Sequence, residues 1–344
     1  MFKLPSGSFF DFGFHFVSIS SMKYRNLGLT GIKVSEIGFG AWGIGGLSKG
    51  ATSYGPTNDK ESEKALLRAF ELGVNFFDTA NIYGEGHSEE LLGKVFKKNR
   101  HRIVIATKAG YFAHNSPSDY SPANLRGSLK QSLRRLKTDY VDLYQLHDAS
   151  IDIFKNGDET ISTLKKLKKE GKIRAYGISV NSPNDGIAAI DKFGFPVVQV
   201  NFNMIDQRVL DCGLMDLVSK KNVGLIARTP FCFGFLTGKF SSGMFGKRDH
   251  RSTWPEKQRQ VWSHAPLLFS DIAKREKSTP AQLALRYCLS FKPISSVIPG
   301  MLTEKEVNEN LQAGILGPLR WNILKKIRII YNSEPFFVAG PKID

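Results

Sequence analysis

Short apolar runs alternate along this chain with longer segments whose apolar residues recur at helical spacing. The runs at 34–39, 74–77, 103–107, 141–146, 173–178, 196–200 and 223–227 each have the length of a buried strand, and 297–298 reads as a last short one. Between them, Ala65, Leu66, Ala69 and Phe70, then Leu91, Leu92, Val95 and Phe96, then Leu125, Leu129, Leu133 and Leu136 mark helix faces. Further helices are predicted through Leu164 and Leu167, after Ser182-Pro183, over 215–218, after Thr279-Pro280, and through Val307 and Leu311. Asn58 with Glu61 and Thr303 with Glu306 have capping-box spacing, and Ser121, Ser182 and Thr279 each precede a proline at a first helical position. Eight alternating units without an internal linker predict an α/β fold, a closed (β/α)8 TIM barrel in one domain. Its expected limits are 22–316, with a C-terminal helix and tail at 317–344 and an N-terminal extension at 1–21. That extension is phenylalanine-rich and differs in texture from the rest of the chain, either disordered or a miscalled start, and it plays no part in the fold prediction. The step from Arg228 to Gly300 is longer than one unit and holds an aromatic insertion at 231–268.

Composition narrows this picture only a little. With 41% hydrophobic residues and no apolar run approaching the ~18 residues of a spanning helix, the chain reads as globular with no membrane partner. A formal charge of +16 raises the question of nucleic acid. The basic residues are spread along the chain, however. The densest run, Lys165 to Lys172, is interleaved with Leu164 and Leu167 as a solvated helix face would be, so no nucleic-acid partner is expected. Cys212, Cys232 and Cys288 form no C-x-x-C pair, which suits a reducing, cytoplasmic location and argues against a zinc site. Residues 1–21 lack the regions of a signal peptide. The pattern leaves the oligomeric state open.

Candidate chemistry sits where such a barrel gathers its strand ends. Asp78, Lys108 and His147 directly follow the second, third and fourth runs, and Tyr83 lies in the loop after Asp78. Alone, Asp78 reads as a turn cap and Tyr83 as a packed ring; four such groups at one mouth read as a site. A phenol titrates near ~10, and a neighbouring ammonium lowers that value, so Lys108 is expected to activate Tyr83 while Asp78 pairs with the lysine. His147 would orient a substrate oxygen, which together is the chemistry of carbonyl reduction. The segment Gly38-Phe39-Gly40-Ala41-Trp42-Gly43 spells G-x-G-x-x-G, but Gly45, Gly46, Gly50 and Gly55 continue a loop where a dinucleotide fingerprint needs a helix. Close backbone approach at the barrel mouth is its expected role. The helix opening at Thr303, after Gly300, is the better anion site.

From Met22 to about Gly314 the sequence resembles the aldo-keto reductases, in KYRNLGLTGIKVSEIGFGAWGIG, FFDTANIYGEGHSEELLGKVF, IVIATKAG, DLYQLHD, LKKEGKIRAYGISV, VVQVNFN, FGFLTGKF and IPGMLTEKEVNENLQAG. The resemblance implies a nicotinamide-dependent oxidoreductase for aldehydes and ketones, with Asp78, Tyr83, Lys108 and His147 as the catalytic tetrad. It implies further that Ser179 and Gln199 hold the carboxamide and that the 230–239 loop, with Pro230, Gly234, Leu236, Gly238 and Lys239, covers the pyrophosphate. Gly300, Thr303, Glu309 and Asn310 then approach the adenosine. The Ser-Asn pair frequent in the family after the fifth strand is Ser179-Val180-Asn181, and Arg228 stands where an aromatic often stacks on the nicotinamide. Glu306 occupies the place where many members carry an arginine for the 2′-phosphate; the family implies NADP, and the acid opens NAD. Lys247 to Arg251 resembles a segment that folds over the cofactor, implying a charged clasp by Arg248 or Arg251, with a plain surface loop as the alternative. Trp42, Tyr111, Phe112 and Trp254 would wall the pocket for a small carbonyl substrate. The reverse reaction, as a sugar or alcohol dehydrogenase, and a cofactor-binding regulatory subunit like the family's potassium-channel β subunits remain open.

Overall fold

A computed structural model describes residues 22–111, 116–154 and 159–338; the extension at 1–21, Phe112 and the last residues of the tail lie outside it. The described chain opens with an antiparallel hairpin, β1 (Tyr24–Asn26) with β2 (Lys33–Ser35). Eight parallel strands then form one sheet in chain order: β3 (Phe39–Gly40), β4 (Phe76–Asp78), β5 (Val104–Ala109), β6 (Val141–Leu146), β7 (Ile173–Val180), β8 (Val197–Asn201), β9 (Gly224–Arg228) and β10 (Ile294–Val297). The sheet closes on itself where Gly38 N donates to Val297 O at 2.8 Å, Val297 N to Glu36 O at 2.9 Å and Gly40 N to Pro299 O at 2.9 Å. Ile37 bridges Val297 and Gly40 bridges Gly300 in the same parallel sense. Helices follow the strands and cover the barrel, their buried faces matching the periodic positions in the sequence.

Two cores result. Phe76, Val104, Leu143, Ala175, Val197 and Ile226 fill the barrel interior, whereas the second core lies between strands and helices. The bottom of the interior is stoppered by the β1–β2 hairpin, which inserts Leu27, Ile32 and Val34. At its turn Gly28 has φ +54, and a Cβ there would lie 2.4 Å from Gly224 N, so the close approach to the start of β9 needs glycine.

This hairpin corrects the sequence reading. The run at 34–39 is not one strand: Lys33–Ser35 belongs to the hairpin and only Phe39–Gly40 to the barrel, because the chain turns at Ser35–Gly38 to pass from stopper to stave. The last strand runs over Ile294–Val297 rather than 297–298, and pairing continues past it, with Ile298 N donating to Ala227 O at 3.1 Å and Pro299 O accepting from Gly40. Asn58 and Ser121 cap as predicted, and Thr279 with Gln282 forms a full capping box. No helix follows Gly43; a single 3-10 turn, Gly43–Gly45, stands there and the next helix begins at Asp59, in line with the rejection of a Rossmann fingerprint. The insertion carries the helix Glu256–Leu268, and Gln258 from it ties the C-terminal strap by bonds to Phe336 O at 2.8 Å and from Val338 N at 3.0 Å.

Candidate active site

The C-terminal ends of the strands open into a cavity of about 590 Å³ whose lining includes Asp78, Tyr83, His147, Gln199, Arg228 and Glu306. Its floor is built by alternate strands. Asp78 on β4 receives hydrogen bonds from Gln145 on β6 at 3.1 Å and from Gln199 on β8 at 2.8 Å, while Lys108 Nζ donates to its other oxygen. Side chains from alternate strands form one layer in such barrels, and here the top layer is polar. Lys108 is fully buried; its ammonium also donates to Thr79 O at 3.0 Å and stands 3.4 Å from the Tyr83 hydroxyl. The His147 ring meets Tyr83 edge-on with centroids 5.6 Å apart, and its carbonyl is held by the Tyr120 hydroxyl at 2.7 Å. Asp78, Tyr83, Lys108 and His147, remote in sequence, are thus gathered at one strand-end floor.

The electrostatics of the floor differ from the expectation in one respect. Burial, then the charges of Asp78 and Asp148, raises the Tyr83 phenol well above its ordinary value, against the partial pull of Arg228. Burial lowers the Lys108 ammonium, and its bond and charge to Asp78 pull the other way. At rest, burial outweighs the neighbouring ammonium in setting the phenol, and Lys108 is itself paired with the Asp78 carboxylate.

Beside this floor lies an ion pair that the sequence reading missed. Asp148, a non-glycine residue at φ 50, accepts from Arg228 Nη1 at 2.5 Å, and Arg228 Nη2 donates to Asn181 Oδ1 at 2.5 Å and Val180 O at 3.3 Å. Burial opposes the charge of Asp148, yet Arg228 and His147 hold its carboxyl down to about 2. The available signal was position: Asp148 directly follows His147 at a strand exit. Asn181 lines the cavity despite the inserted Val180, whereas Ser179 is buried behind the wall, 3.4 Å from Asp148.

The remaining candidates divide. Pro230, Gly234 and Lys239 line the cavity, while Leu236 is buried beneath the turn Phe235–Thr237 and Gly238 faces Pro266 and Pro280. At the far end Gly300, Glu306 and Asn310 line it; Thr303 caps its helix, and Glu309 pairs at 3.3 Å with Lys239. Glu306 does not complete the expected capping box: its carboxylate accepts from Leu302 N at 2.8 Å, one residue before the cap. Trp42, Tyr111 and Trp254 form walls, joined by Tyr54, Phe233 and His250, which the sequence reading left without a role. Arg248 is exposed. Arg251 is buried against its own protein, with Asp249 at 2.7 and 3.0 Å and the rings of Tyr54, Phe240 and Phe245 within 4.8 Å.

Residues 36–332 match the model of the aldo/keto reductase family. The chain belongs to that family. It is similar to L-galactose dehydrogenase of Arabidopsis thaliana, 35% identical over 304 residues that cover 86% of this chain and 89% of the relative. It is also similar to L-glyceraldehyde 3-phosphate reductase of Escherichia coli (strain K12), 31% identical over 313 residues covering 85% and 87%. Among solved structures, the holo form of aldo-keto reductase AKR11C1 from Bacillus halodurans superposes with a TM-score of 0.72 at 30% identity, covering 90% of this chain and 96% of that one. The family assignment supports oxidoreductase activity, the family's enzymes acting on small-molecule carbonyl substrates. None of the helices among its described residues is long and apolar enough to cross a membrane, and no metal-ligating cluster is found among those residues.

Proposed function

We propose that this aldo/keto reductase reduces an aldehyde or ketone to the alcohol with a nicotinamide dinucleotide, Tyr83 supplying the proton. The observation that carries the reading is the buried chain Asp78–Lys108–Tyr83 beside His147 at the cavity floor. The chemistry supplied by a bound nicotinamide dinucleotide is a hydride for the carbonyl carbon. His147 and Tyr83 converge on the carbonyl oxygen and orient it. Tyr83, its phenol held above the ordinary range by burial, arrives protonated and gives that proton to the oxygen as negative charge builds there. Lys108, 3.4 Å away, faces the phenolate left behind, and Asp78 keeps the ammonium in place. The lysine thus answers charge as it appears instead of lowering the phenol at rest. A raised phenol favours reduction, because oxidation of an alcohol needs Tyr83 to begin as the base.

The residues present fit a dinucleotide. Among the described residues Arg228 has a buried Nε–H without an acceptor, a donor that a carboxamide or phosphate oxygen would satisfy. Lys239 and Thr237 line the cavity and would face the phosphates, and Glu306 and Asn310, which also line it, would face the ribose and adenine. The family favours NADP. The Glu306 carboxylate, pinned by Leu302 N–H, repels a 2′-phosphate and accepts from a ribose hydroxyl, which favours NADH in this chain.

The test follows NADH and NADPH consumption over a panel of carbonyls that includes glyceraldehyde and its 3-phosphate, the latter substrate named for the Escherichia coli relative. Wild-type turnover with dinucleotide binding retained but turnover abolished in Tyr83→Phe is the expected result. Tight binding without turnover on any carbonyl would replace the enzyme by a regulatory subunit.

A further inference from the structure

The wall that rises from Tyr83 is a continuous run of rings. Tyr111 stands 5.8 Å from His147, His147 5.6 Å from Tyr83, and Tyr83 6.1 Å from Trp42. Trp42 is 5.3 Å from His250, and His250 6.2 Å from Trp254, all centroid to centroid. All six rings line the same cavity. They come from five separate loops, so no single amphipathic element accounts for the stripe. Rings at these separations present faces and edges that suit another ring better than an aliphatic chain or a polyol, which would leave its hydroxyls unpaired against them.

The charges on the same wall are already engaged. Among the described residues the cavity lining carries Arg228, Lys239 and Arg251 as permanent cations. Both terminal nitrogens of Arg228 are held by Asp148, Asn181 and Val180 O. Arg251 is chelated by Asp249, and Lys239 is paired with Glu309. With the remaining Arg228 Nε–H given to the dinucleotide, an anionic substrate near Tyr83 would have to break one of these pairs or lie uncompensated beside Asp78 and Asp148, with its own desolvation unanswered. A cationic substrate would meet Arg228 and Arg251 at close range.

We propose that the cavity takes a neutral aromatic aldehyde or ketone, its ring lying along Trp42, His250 and Trp254 and its carbonyl at Tyr83 and His147, and that it rejects carboxylated and phosphorylated carbonyls. The inference rests on the carbonyl reduction proposed above. His250 is the specificity-determining residue at the junction: its ring joins the wall of the first-strand loop, through Trp42, to that of the insertion, through Phe233 at 5.7 Å and Trp254. Its backbone N–H, bonded to Ser53 O at 2.7 Å, fixes it across the two loops.

Two measurements on the full chain decide it. In the first, kcat/KM is compared for benzaldehyde, cyclohexanecarbaldehyde, 4-carboxybenzaldehyde, glyceraldehyde and glyceraldehyde 3-phosphate. Benzaldehyde is expected to exceed cyclohexanecarbaldehyde by about 10-fold and both anionic compounds by about 100-fold, the range that fit to an apolar pocket produces. His250→Leu is expected to narrow the ratio of kcat/KM for benzaldehyde to that for cyclohexanecarbaldehyde, measured within the variant, and a ratio equal to that of the wild type would remove His250 from the assignment. Equal or reversed preference for an anionic or aliphatic carbonyl overturns the proposal. In the second, benzyl alcohol and benzoate are titrated by tryptophan fluorescence, with and without NADH. Quenching by the alcohol alone, lost in Trp42→Leu, supports the aromatic site even where no carbonyl is turned over, a result that would sink the catalytic reading only. Benzoate binding as tightly as the alcohol, or no quenching by either, overturns the aromatic site whatever the turnover.

Discussion

The floor of the cavity is made by strand ends and its walls by loops, and the two are held together by different physics. On the floor, Asp78 sits in a polar layer of Gln145, Gln199 and Lys108, each fixed by a parallel register such as Lys108↔Gln145 and Ser179↔Gln199. Every group has its partner, so little can move. On the walls, Trp42, Tyr54, Phe233, His250 and Trp254 meet through ring contacts and through Arg251, which stacks on Tyr54 from one loop and Phe240 and Phe245 from another. Such contacts tolerate repacking. The proposed chemistry thus lies on the rigid part and the proposed substrate choice on the adaptable part.

The largest effect should come from breaking the floor. Tyr83→Phe is expected to lower kcat by about 10²–10⁴-fold with unchanged dinucleotide binding, since only a proton donor is lost. Lys108→Met should cost a rate of similar order and, in addition, about 3–5 kcal/mol of stability, because Asp78 stays buried without its cation. Chemical denaturation would separate the two losses: adding Asp78→Asn should recover stability and not rate. A Lys108→Met enzyme with near-normal turnover would sink the assignment of the lysine.

At the far end, Glu306→Arg is expected to move the ratio of NADPH to NADH affinity about tenfold toward NADPH, equivalent to about 1.4 kcal/mol, read by direct titration of each dinucleotide. An unchanged ratio would show that Glu306 serves only Leu302 N–H. On the walls, Arg251→Ala should lower stability by about 1–2 kcal/mol through its lost ring contacts, while Arg248→Ala, from an exposed position, should be silent. Faster dinucleotide release from Arg251→Ala at unchanged melting temperature would restore the charged clasp on the cofactor in place of a pin between loops.

The smallest effects concern pH. Tyr83 must be protonated for reduction, and its phenol lies above the ordinary value, so kcat/KM should stay level through about pH 9 and fall only as the phenol ionises at higher pH. Asp148 is depressed to about 2, so its pair with Arg228 contributes stability that is full above the unfolded carboxyl value of about 4 and lost as pH falls toward 2. Acid titration of Asp148→Asn against wild type should show the difference between them closing in that window. A difference unchanged down to about pH 2 would place the stabilisation elsewhere.

The barrel and the four polar residues at its mouth were legible because their signals are local. A strand's apolar run ends where its side chains leave the core, and the next polar residue, as at Asp78, Lys108 and His147, is delivered to the mouth by the parallel topology alone. The stopper hairpin was hidden because Val34 and Phe39 read as one apolar run, although the chain turns between them. Asp148 and His250 were hidden for another reason. Their roles depend on Arg228 and Trp42, which are distant in sequence and brought near only when the barrel closes.

The sequence by itself thus determined the order of strands and helices, the family, and which four polar side chains share the barrel mouth, since period and position along one strand decide those. Only the tertiary structure decided that Tyr83 is buried deeply enough to raise its phenol, that Arg228 and Arg251 are held by Asp148 and Asp249, and that rings from separate loops join into one wall. Burial and charge pairing depend on the distance between residues far apart in the chain, and that distance is set when the sheet closes, not by any local pattern.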